Sequence, residues 1–324
     1  MKFSKRLLIV LMVAVISTAL IVLEKYKMPL NIFLWRYIFD AGHIPLFGVI
    51  SIAFLGISQT LYARRFTNPL MHYIIAFVLT CLLGLITEVL QYFTPRDADL
   101  WDIISDGIGA ICFLGLYLTF DRRLTGSGVV FGRKLKYLIR LAVVILGLVA
   151  MMPTINWIGA YLNRNNRFPI ICNFESDWEQ KFVFVNNASL SIVHSPEYFG
   201  DSIDNNYGRV DFNKTGHSNF KIVEPYPDWT GYDNFSFSIF SANSETIGIN
   251  LQIKDRLYNK NIDDKFNQPL SINPGLNIIN IPLEEVINAP KNRRIDIRKI
   301  SLITLSLLRP INNCNIYLDN FRLE

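Results

Sequence analysis

Five long apolar runs, all in the first half of the chain, constrain this sequence more than any other feature. They cover residues 7–23, 44–61, 70–90, 103–120 and 138–158. A helix needs about 20 mostly apolar residues to cross the hydrocarbon core of a bilayer, and each run is close to that length. The runs therefore predict an α-helical transmembrane bundle of five helices.

The second half of the chain has a different character, because it is rich in Asn, Asp, Ser and alternating aromatic residues. The whole chain is 51% hydrophobic and 18% charged, which is too apolar for an ordinary soluble protein and too polar for an all-membrane one. Two domains of different class are predicted, a transmembrane domain over residues 1–162 and a second domain over 163–324. The net charge of +5 is scattered, so we expect no nucleic-acid partner.

Positive charges predict how the helices are oriented. The N-terminus carries Lys2, Lys5 and Arg6, and further Lys and Arg residues fall in the loops after the second and fourth runs. Short cytoplasmic loops are enriched in Lys and Arg, so the N-terminus should be cytoplasmic. The first run lacks the small-residue cleavage site of a signal peptide, which favours an uncleaved helix. Five crossings then place the second domain outside the cytoplasm.

Polar residues recur at the predicted outer ends of three helices. Residues three or four apart share a helix face, so each group should form a polar stripe, and the three stripes could converge. The stripes contain Asp40 and His43, Glu88 and Gln91, and Asp99, Asp102 and Asp106, and Arg96 lies in the loop before the third stripe. Ionisable groups at membrane depth are costly and often functional.

Two interpretations of this cluster stay open. In the first, Glu88, Asp106 and His43 perform general acid–base catalysis, while Arg96 binds an anionic group and Asp40, Gln91, Asp99 and Asp102 complete a ligand pocket. A histidine with carboxylates could also hold a divalent metal, although the spacing matches no standard site. In the second, the polar groups only join helices, with Asp102 as an N-cap.

The same stretch resembles the VanZ-like family of bacterial membrane proteins. The resemblance lies in Glu88 and Gln91, Pro95-Arg96, Asp102, and Asp106 followed by Gly109. Asp106 stands where the family pattern usually has Asn, which adds a negative charge. The resemblance covers about residues 1–160. It implies a multi-pass protein of the bacterial cytoplasmic (inner) membrane, an envelope context and a link to glycopeptide (teicoplanin) resistance, without implying a reaction.

Alternating apolar and polar residues, separated by turn signals, predict β-strands throughout the second domain. Clear alternation covers residues 234–240, 247–254, 277–283, 300–307 and 315–323, and weaker alternation covers 182–185, 190–193 and 209–212. This many short strands predict an all-β sandwich. Cys172 and Cys314 bracket the region, and an extracytoplasmic location would permit a disulfide between them.

The second domain also resembles the galactose-binding-like jelly roll of carbohydrate-binding modules. The resemblance lies in Asn173-Phe174-Glu175, the segment from Pro227 to Tyr232, the turn Asn273–Asn277 and the closing Tyr317–Phe321. It implies a structural Ca²⁺ site at Glu175 and Asp319, with surface turns as the alternative. It also implies sugar binding, for which Trp229 and Tyr232 are the candidate ligand contacts and Trp178, Tyr198 and Tyr207 are further available aromatics. The alternative for Trp229 is a core plug at the edge of the sandwich, which is the more common role of an aromatic residue in such a turn.

Three functions remain open from the sequence. The first, which we favour, is a membrane protein that senses or modulates the cell envelope and binds a glycan through the second domain. The second is an enzyme that acts on a lipid-linked envelope substrate at the outer leaflet. The third is a structural or assembly protein. The expected partners are the lipid bilayer and an envelope glycan or lipid-linked glycan.

Overall fold

The computed structural model describes residues 5–25, 32–66, 68–92, 100–126, 131–194, 205–213, 217–307 and 314–324. The chain divides into two compact units, Met1–Ile158 and Gly159–Glu324. The predicted order, apolar helices first and a β-sandwich second, is confirmed. Arg96, Asp99 and Tyr198 lie outside the described residues.

The helix count was predicted wrongly. The described residues contain seven α-helices, not five, because two short helices lie outside the apolar runs. The helices are α1 (Lys5–Lys25), α2 (Phe33–Leu61), α3 (Leu70–Tyr92), α4 (Leu100–Leu118), α5 (Arg122–Gly126), α6 (Arg133–Arg167) and α7 (Leu283–Asn288). Among the described residues, α2, α3, α4 and α6 are long and apolar enough to cross a membrane. Both α2 and α6 extend beyond their predicted spans.

Helix α4 packs closely against α2 because a glycine lies at their contact. A Cβ atom added to Gly109 would overlap the backbone carbonyl oxygen of Ile44. Only a residue without a side chain allows the two helix backbones to approach this closely. Around this contact, Phe47 and Ile50 of α2 are fully buried.

The second unit contains eleven described strands in two antiparallel sheets. They are β1 (Ile170–Cys172), β2 (Val183–Asn186), β3 (Ala188–His194), β4 (Asn206–Phe212), β5 (Asn219–Val223), β6 (Asn234–Ser241), β7 (Ile247–Asp255), β8 (Phe266–Ile272), β9 (Gly275–Pro282), β10 (Ile300–Leu307) and β11 (Cys314–Leu323). The first sheet has the order β3-β4-β11-β6-β9, with β1 paired to β11, and the second has the order β2-β5-β10-β7-β8. We call them the six-stranded and five-stranded sheets.

Alternating side chains of both sheets form the sandwich core. On β6, Phe235, Phe237 and Ile239 are buried in it, and on β7 the same is true of Ile249 and Leu251. This period of two follows from the pleat of a strand, which sends successive side chains to opposite faces. The residues between them therefore form the outer face of each sheet.

Cys172 and Cys314 are both buried thiols. Cys172 pairs with Phe321 of β11, so Cys314 lies seven residues away along the same strand, about 23 Å at the usual rise. The Cα atoms of a disulfide are at most about 7 Å apart. The disulfide that the sequence left open therefore does not fit this fold.

Candidate functional site

The helical unit contains a buried histidine–carboxylate cluster. The Nδ1 atom of His43 on α2 lies 2.9 Å from Oδ1 of Asp106 on α4. The Nε2 atom of the same imidazole lies 3.8 Å from Oδ2 of Asp102, one turn earlier on α4. Asp106 is 0% exposed and His43 is 8% exposed. The imidazole is thus held between two carboxylates of one helix.

Small residues make this arrangement sterically possible. Gly109 lies one turn after Asp106, and its contact at Ile44 brings α4 against α2 beside His43. On α3, a Cβ atom at Gly84 would meet Oδ2 of Asp106. This oxygen is buried and has no hydrogen-bond partner among the described residues. Asp106 therefore packs against the backbone of α3 at Gly84 while bonding to His43 on α2.

The structure places the other predicted residues of this cluster on adjoining turns. Glu88 lies on α3, one turn after Gly84; it is 5% exposed and acts electrostatically on His43. Asp40 lies one turn before His43 on α2, and Gln91 one turn after Glu88 on α3; both are half-buried and have interactions of their own. His43, Asp102, Asp106 and Glu88 are thus brought together.

This geometry is suited to holding or moving a proton. A carboxylate bonded to Nδ1 of an imidazole selects the tautomer and leaves Nε2 to exchange a proton. In His43, Nε2 faces Asp102, which is partly exposed. No group of three or more His, Cys, Asp or Glu side chains among the residues that the structure describes has a metal-binding arrangement.

A second polar set lies at the opposite ends of the same helices. The Oγ atom of Ser58 lies 2.8 Å from Nδ1 of His72. The hydroxyl of Tyr73 donates to Asp121 at 2.8 Å. Buried polar groups are normally hydrogen-bonded in this way, so these pairs need no role beyond joining α2, α3 and the turn after α4.

In the sandwich, Glu175 and Asp319, the two candidate calcium ligands, both accept hydrogen bonds from asparagine side chains. Both carboxylate oxygens of Glu175 accept from Asn206, at 2.6 Å from its backbone nitrogen and 3.1 Å from its side chain. Asp319 accepts from the side chain of Asn205 at 3.0 Å. Carboxylate and amide oxygens are the ligands that Ca²⁺ prefers, so the residue types fit this ion. Asn173, two residues before Glu175, has a buried side-chain oxygen without a hydrogen-bond partner in the described part of the chain.

The aromatic residues proposed for sugar contact lie in or against the core. Trp229 is 0% exposed, stacks on Phe235 and donates from its indole nitrogen to the carbonyl of Tyr226 at 2.8 Å. Tyr232 packs against the core and meets Phe168 edge to face. A fully enclosed indole is not accessible to a sugar ring, so the ligand contact predicted for Trp229 does not fit this structure.

The outer face of the five-stranded sheet carries a set of polar side chains that come from five separate strands. Its cross-strand neighbours form two rows, which together we call the polar face. The first row is Phe184, Lys221, Thr304, Gln252 and Asn267, and the second is Asn186, Asn219, Ser306, Asn250 and Pro269. The alternation Asn250, Gln252, Lys254 along β7 was a signal for this face, but its partners come from distant strands.

Hydrogen bonds hold several of these side chains in place. The side chain of Asn250 donates to Asn267 at 2.7 Å, and Lys265 donates to Gln252 at 2.9 Å. Thr304 is 6% exposed and Asn250 is 8% exposed, although both point away from the core. Phe184, at one edge of the first row, is 41% exposed. The polar face thus combines ordered amide side chains with an accessible ring. We call the amides of Asn250, Gln252 and Asn267 the amide floor.

The outer face of the six-stranded sheet differs in charge. Arg209 pairs with Asp211 at 3.0 Å, and Arg322 pairs with Glu324. Phe240 and Tyr317 meet edge to face on the same sheet. The charges described on this face are therefore compensated within the protein.

Comparison with solved structures finds similarity to the sandwich. A family 11 carbohydrate-binding module from Clostridium thermocellum, solved with a β-1,3-1,4-mixed-linked tetrasaccharide, is 16% identical over 48% of this chain and 93% of that chain, with a TM-score of 0.37. An exo-β-agarase is 15% identical over 48% of this chain, with a TM-score of 0.39, and the match spans 25% of the agarase. A family 30 module of a cellulosomal cellulase of Clostridium thermocellum is 12% identical over 42% of this chain and 82% of that chain, with a TM-score of 0.33.

No family model matches this chain. No curated protein matches it either. Function therefore has to be argued from the side chains of this chain.

Proposed function

We propose that this chain is a membrane-anchored glycan-binding protein, whose sandwich binds a sugar chain on the polar face. The observation that carries the proposal is the row of cross-strand neighbours Lys221, Thr304, Gln252 and Asn267, with exposed Phe184 at its end. Amide and hydroxyl groups both donate and accept hydrogen bonds, as sugar hydroxyls require. An exposed ring offers an apolar surface to the C–H face of a sugar.

The burial of Asn250 and Thr304 supports binding on this face rather than a merely solvated surface. Both residues lie on inner strands of the sheet, and Thr304 has the longer side chains of Lys221 and Gln252 as its cross-strand neighbours, so a ligand that contacts them also contacts these neighbours. Ligand sites typically include a few ordered polar groups that fix the orientation of the ligand. The bond from Asn250 to Asn267 orders these groups before a ligand arrives, which lowers the entropic cost of binding.

We place this function in a bacterial cell envelope, with the sandwich outside the cytoplasmic membrane. Support comes from the five apolar runs of the sequence, four of which form the apolar helices α2, α3, α4 and α6, and from the Lys and Arg residues of the short loops. The VanZ-like pattern from Glu88 to Gly109 supports the same location. On this proposal the helices anchor the sandwich near the envelope glycan that it binds.

The test is a glycan array probed with the full chain in detergent micelles. Gln252→Ala and Asn267→Ala, combined in one variant, remove hydrogen-bonding groups of the polar face, and we expect about tenfold weaker binding. Asn280→Ala is the matched control, because Asn280 is an exposed amide on β9 of the other sheet. Absence of glycan binding, or equal loss in the control, would refute the proposal.

We further propose that Glu175 and Asp319 hold a structural Ca²⁺ ion. The carboxylates of Glu175 and Asp319, with the buried and unpartnered side-chain oxygen of Asn173 two residues before Glu175, supply oxygen atoms of the kind that Ca²⁺ prefers. A bound ion stabilises the folded state by mass action. Calcium should therefore raise the melting temperature of the full chain, and Glu175→Gln should remove that increase. An unchanged melting temperature in excess calcium would exclude the site.

A second candidate function is supported by the His43–Asp106 pair. An imidazole held at 2.9 Å by a buried carboxylate, with a second carboxylate near Nε2, is the arrangement of a general base. We propose that it acts on a lipid-linked envelope substrate, with Glu88 as an additional acid. Catalysis by these residues requires substrate to reach Nε2.

The teicoplanin susceptibility of cells that express the chain tests this second candidate. Asp106→Asn and His43→Gln should abolish any phenotype while leaving the amount of protein in the membrane unchanged. Asp121→Asn is the control, because Asp121 is also a buried, hydrogen-bonded carboxylate at the other ends of the helices. Loss in all three variants would indicate a structural role instead.

A further inference from the structure

Three lysines converge on the polar face. Lys221 of β5 and Lys254 of β7 point outward on strands that flank β10, and Lys265 lies immediately before β8, which pairs with β7. Lys265 is fixed by its bond to Gln252, and the ammonium of Lys254 lies 4.4 Å from the ring centre of Tyr258. All three are half-buried. Their positive charges are thus concentrated at one end of the amide floor.

These charges are not compensated by the strands that carry them. In β2, β5, β7, β8 and β10 no Asp or Glu points outward, since Asp255 is 1% exposed and bonds to Arg293. None of the three lysines forms an ion pair among the described residues. On the opposite sheet, by contrast, Arg209 and Arg322 each have a carboxylate partner.

The lysines also affect one another. Burial, followed by the neighbouring charges of Lys265 and Lys221, lowers the pKa of the Lys254 ammonium. Like charges that approach each other in a partly desolvated place are unfavourable, and an opposite charge among them relieves the repulsion. A ligand that brings negative charge to this end of the face would be selected over a neutral one.

We propose that the polar face binds an acidic glycan, a sugar chain carrying carboxylate or sulfate groups, and that Lys221, Lys254 and Lys265 bind those anionic groups. This inference rests on the glycan binding proposed above and adds the chemical class of the ligand. Gln252, Asn250 and Asn267 then contact the hydroxyls of the same chain. The lysines lie beside this amide floor, so a sugar chain that covers both satisfies the charges and the amides together.

The test measures binding to the full chain in phosphatidylcholine nanodiscs by biolayer interferometry. Hexagalacturonate is compared with its methyl ester, which has the same sugars and linkage without the charge, and dextran sulfate is compared with dextran. At least one acidic probe should bind about tenfold more tightly than its neutral form. The preference should weaken as salt screens the charges. A preference for hexagalacturonate over its methyl ester would identify carboxylate as the bound group, and a preference for dextran sulfate over dextran would identify sulfate.

Lys254→Gln should remove about tenfold of the affinity for the acidic probe and none for the neutral one. Arg322→Gln is the control, because it removes the same charge from the other sheet. Lys221→Gln repeats the test, and melting curves exclude misfolding. If neutral probes bind as tightly as acidic ones, or Lys254→Gln has no effect, this inference is wrong while glycan binding stands. If no sugar binds, or only vesicles containing phosphatidylglycerol bind, both proposals fail.

Discussion

At the scale of single residues, glycines decide whether the His43–Asp106 pair can form. Polar side chains of α2 and α4 meet only because Gly109 allows the two helix backbones to touch at Ile44. Gly107, two positions earlier on α4, has nothing within 4 Å of where a Cβ would lie. Gly109 therefore offers a substitution that tests the helix contact, and Gly107 offers its control on the same helix.

Gly109→Ala should lower the stability of the helical unit by about 1–3 kcal/mol, since the added methyl overlaps backbone that cannot move aside. Gly107→Ala should leave stability unchanged or raise it by up to about 1 kcal/mol, because Ala is the better helix former. Thermal unfolding in detergent measures both. Equal effects of the two substitutions would contradict the close contact at Gly109.

Glu179 makes the stability of the sandwich depend on pH. It is 3% exposed, and burial raises its pKa from 4.5 to about 7, against backbone hydrogen bonds that lower it. The folded state therefore holds this proton more tightly than the unfolded state. Its stabilising contribution is fully present below pH 4.5 and is lost as pH rises to about 7.

Glu179→Gln should consequently stabilise the sandwich above pH 7, by up to about 3 kcal/mol, and flatten the pH dependence between pH 4.5 and 7. Melting temperatures of the wild type and the variant, measured from pH 4 to pH 8, provide the test. Glu284→Gln at an exposed position of α7 serves as the control. If the melting temperatures of the wild type and Glu179→Gln changed in parallel with pH, Glu179 would not be the source of the pH dependence.

At the scale of elements, sequence alternation located most strands but missed β1, β5 and β8. Strand β8 contains Pro269, which normally argues against a strand because it cannot donate to the ladder. It is tolerated here because β8 is the edge of the five-stranded sheet, and Pro269 pairs with Asn250 on β7. Only the sheet order reveals that this position lies at an edge.

Arg293 connects the end of β7 to the loop before β8. It donates to both oxygens of Asp255, at 2.6 and 2.8 Å, and also bonds to Asp264. Asp255 is 1% exposed. Asp264 adjoins Lys265, so this clamp also positions one lysine of the polar face.

Arg293→Met should lower stability by about 3–5 kcal/mol, because it leaves a buried carboxylate unpaired. It should also weaken binding of the acidic glycan by releasing Lys265. Arg298→Met removes an exposed pair with Asp296 and should cost about 1 kcal/mol or less. Chemical denaturation of both variants measures the difference, and similar losses would refute a special role for the clamp.

At the scale of the whole molecule, the five apolar runs predict an odd number of membrane crossings, and the distribution of Lys and Arg predicts a cytoplasmic N-terminus. Alkaline phosphatase, which is active only outside the cytoplasm, should be active when fused after Glu324 and inactive when fused after Arg123. Whole-cell phosphatase activity checks this. The opposite pattern of activity would mean that the sandwich lies in the cytoplasm, where it could not bind an envelope glycan.

Local patterns were enough to determine the class of each half of this protein. Apolar run length indicates helices that can cross a bilayer, and a period of two indicates strands, because both depend only on neighbours along the chain. The stretch from Glu88 to Asp106 is unusual for the same reason, since its charges lie between apolar runs.

Tertiary structure alone decided which side chains meet. His43 reaches Asp106 across 63 positions through the contact at Gly109, and Lys221 joins Lys254 only because β10 lies between their strands. Trp229, which the sequence suggested for sugar contact, is enclosed because the two sheets close over it. Register and helix contact are set by the packing of distant segments, and no local pattern carries that information.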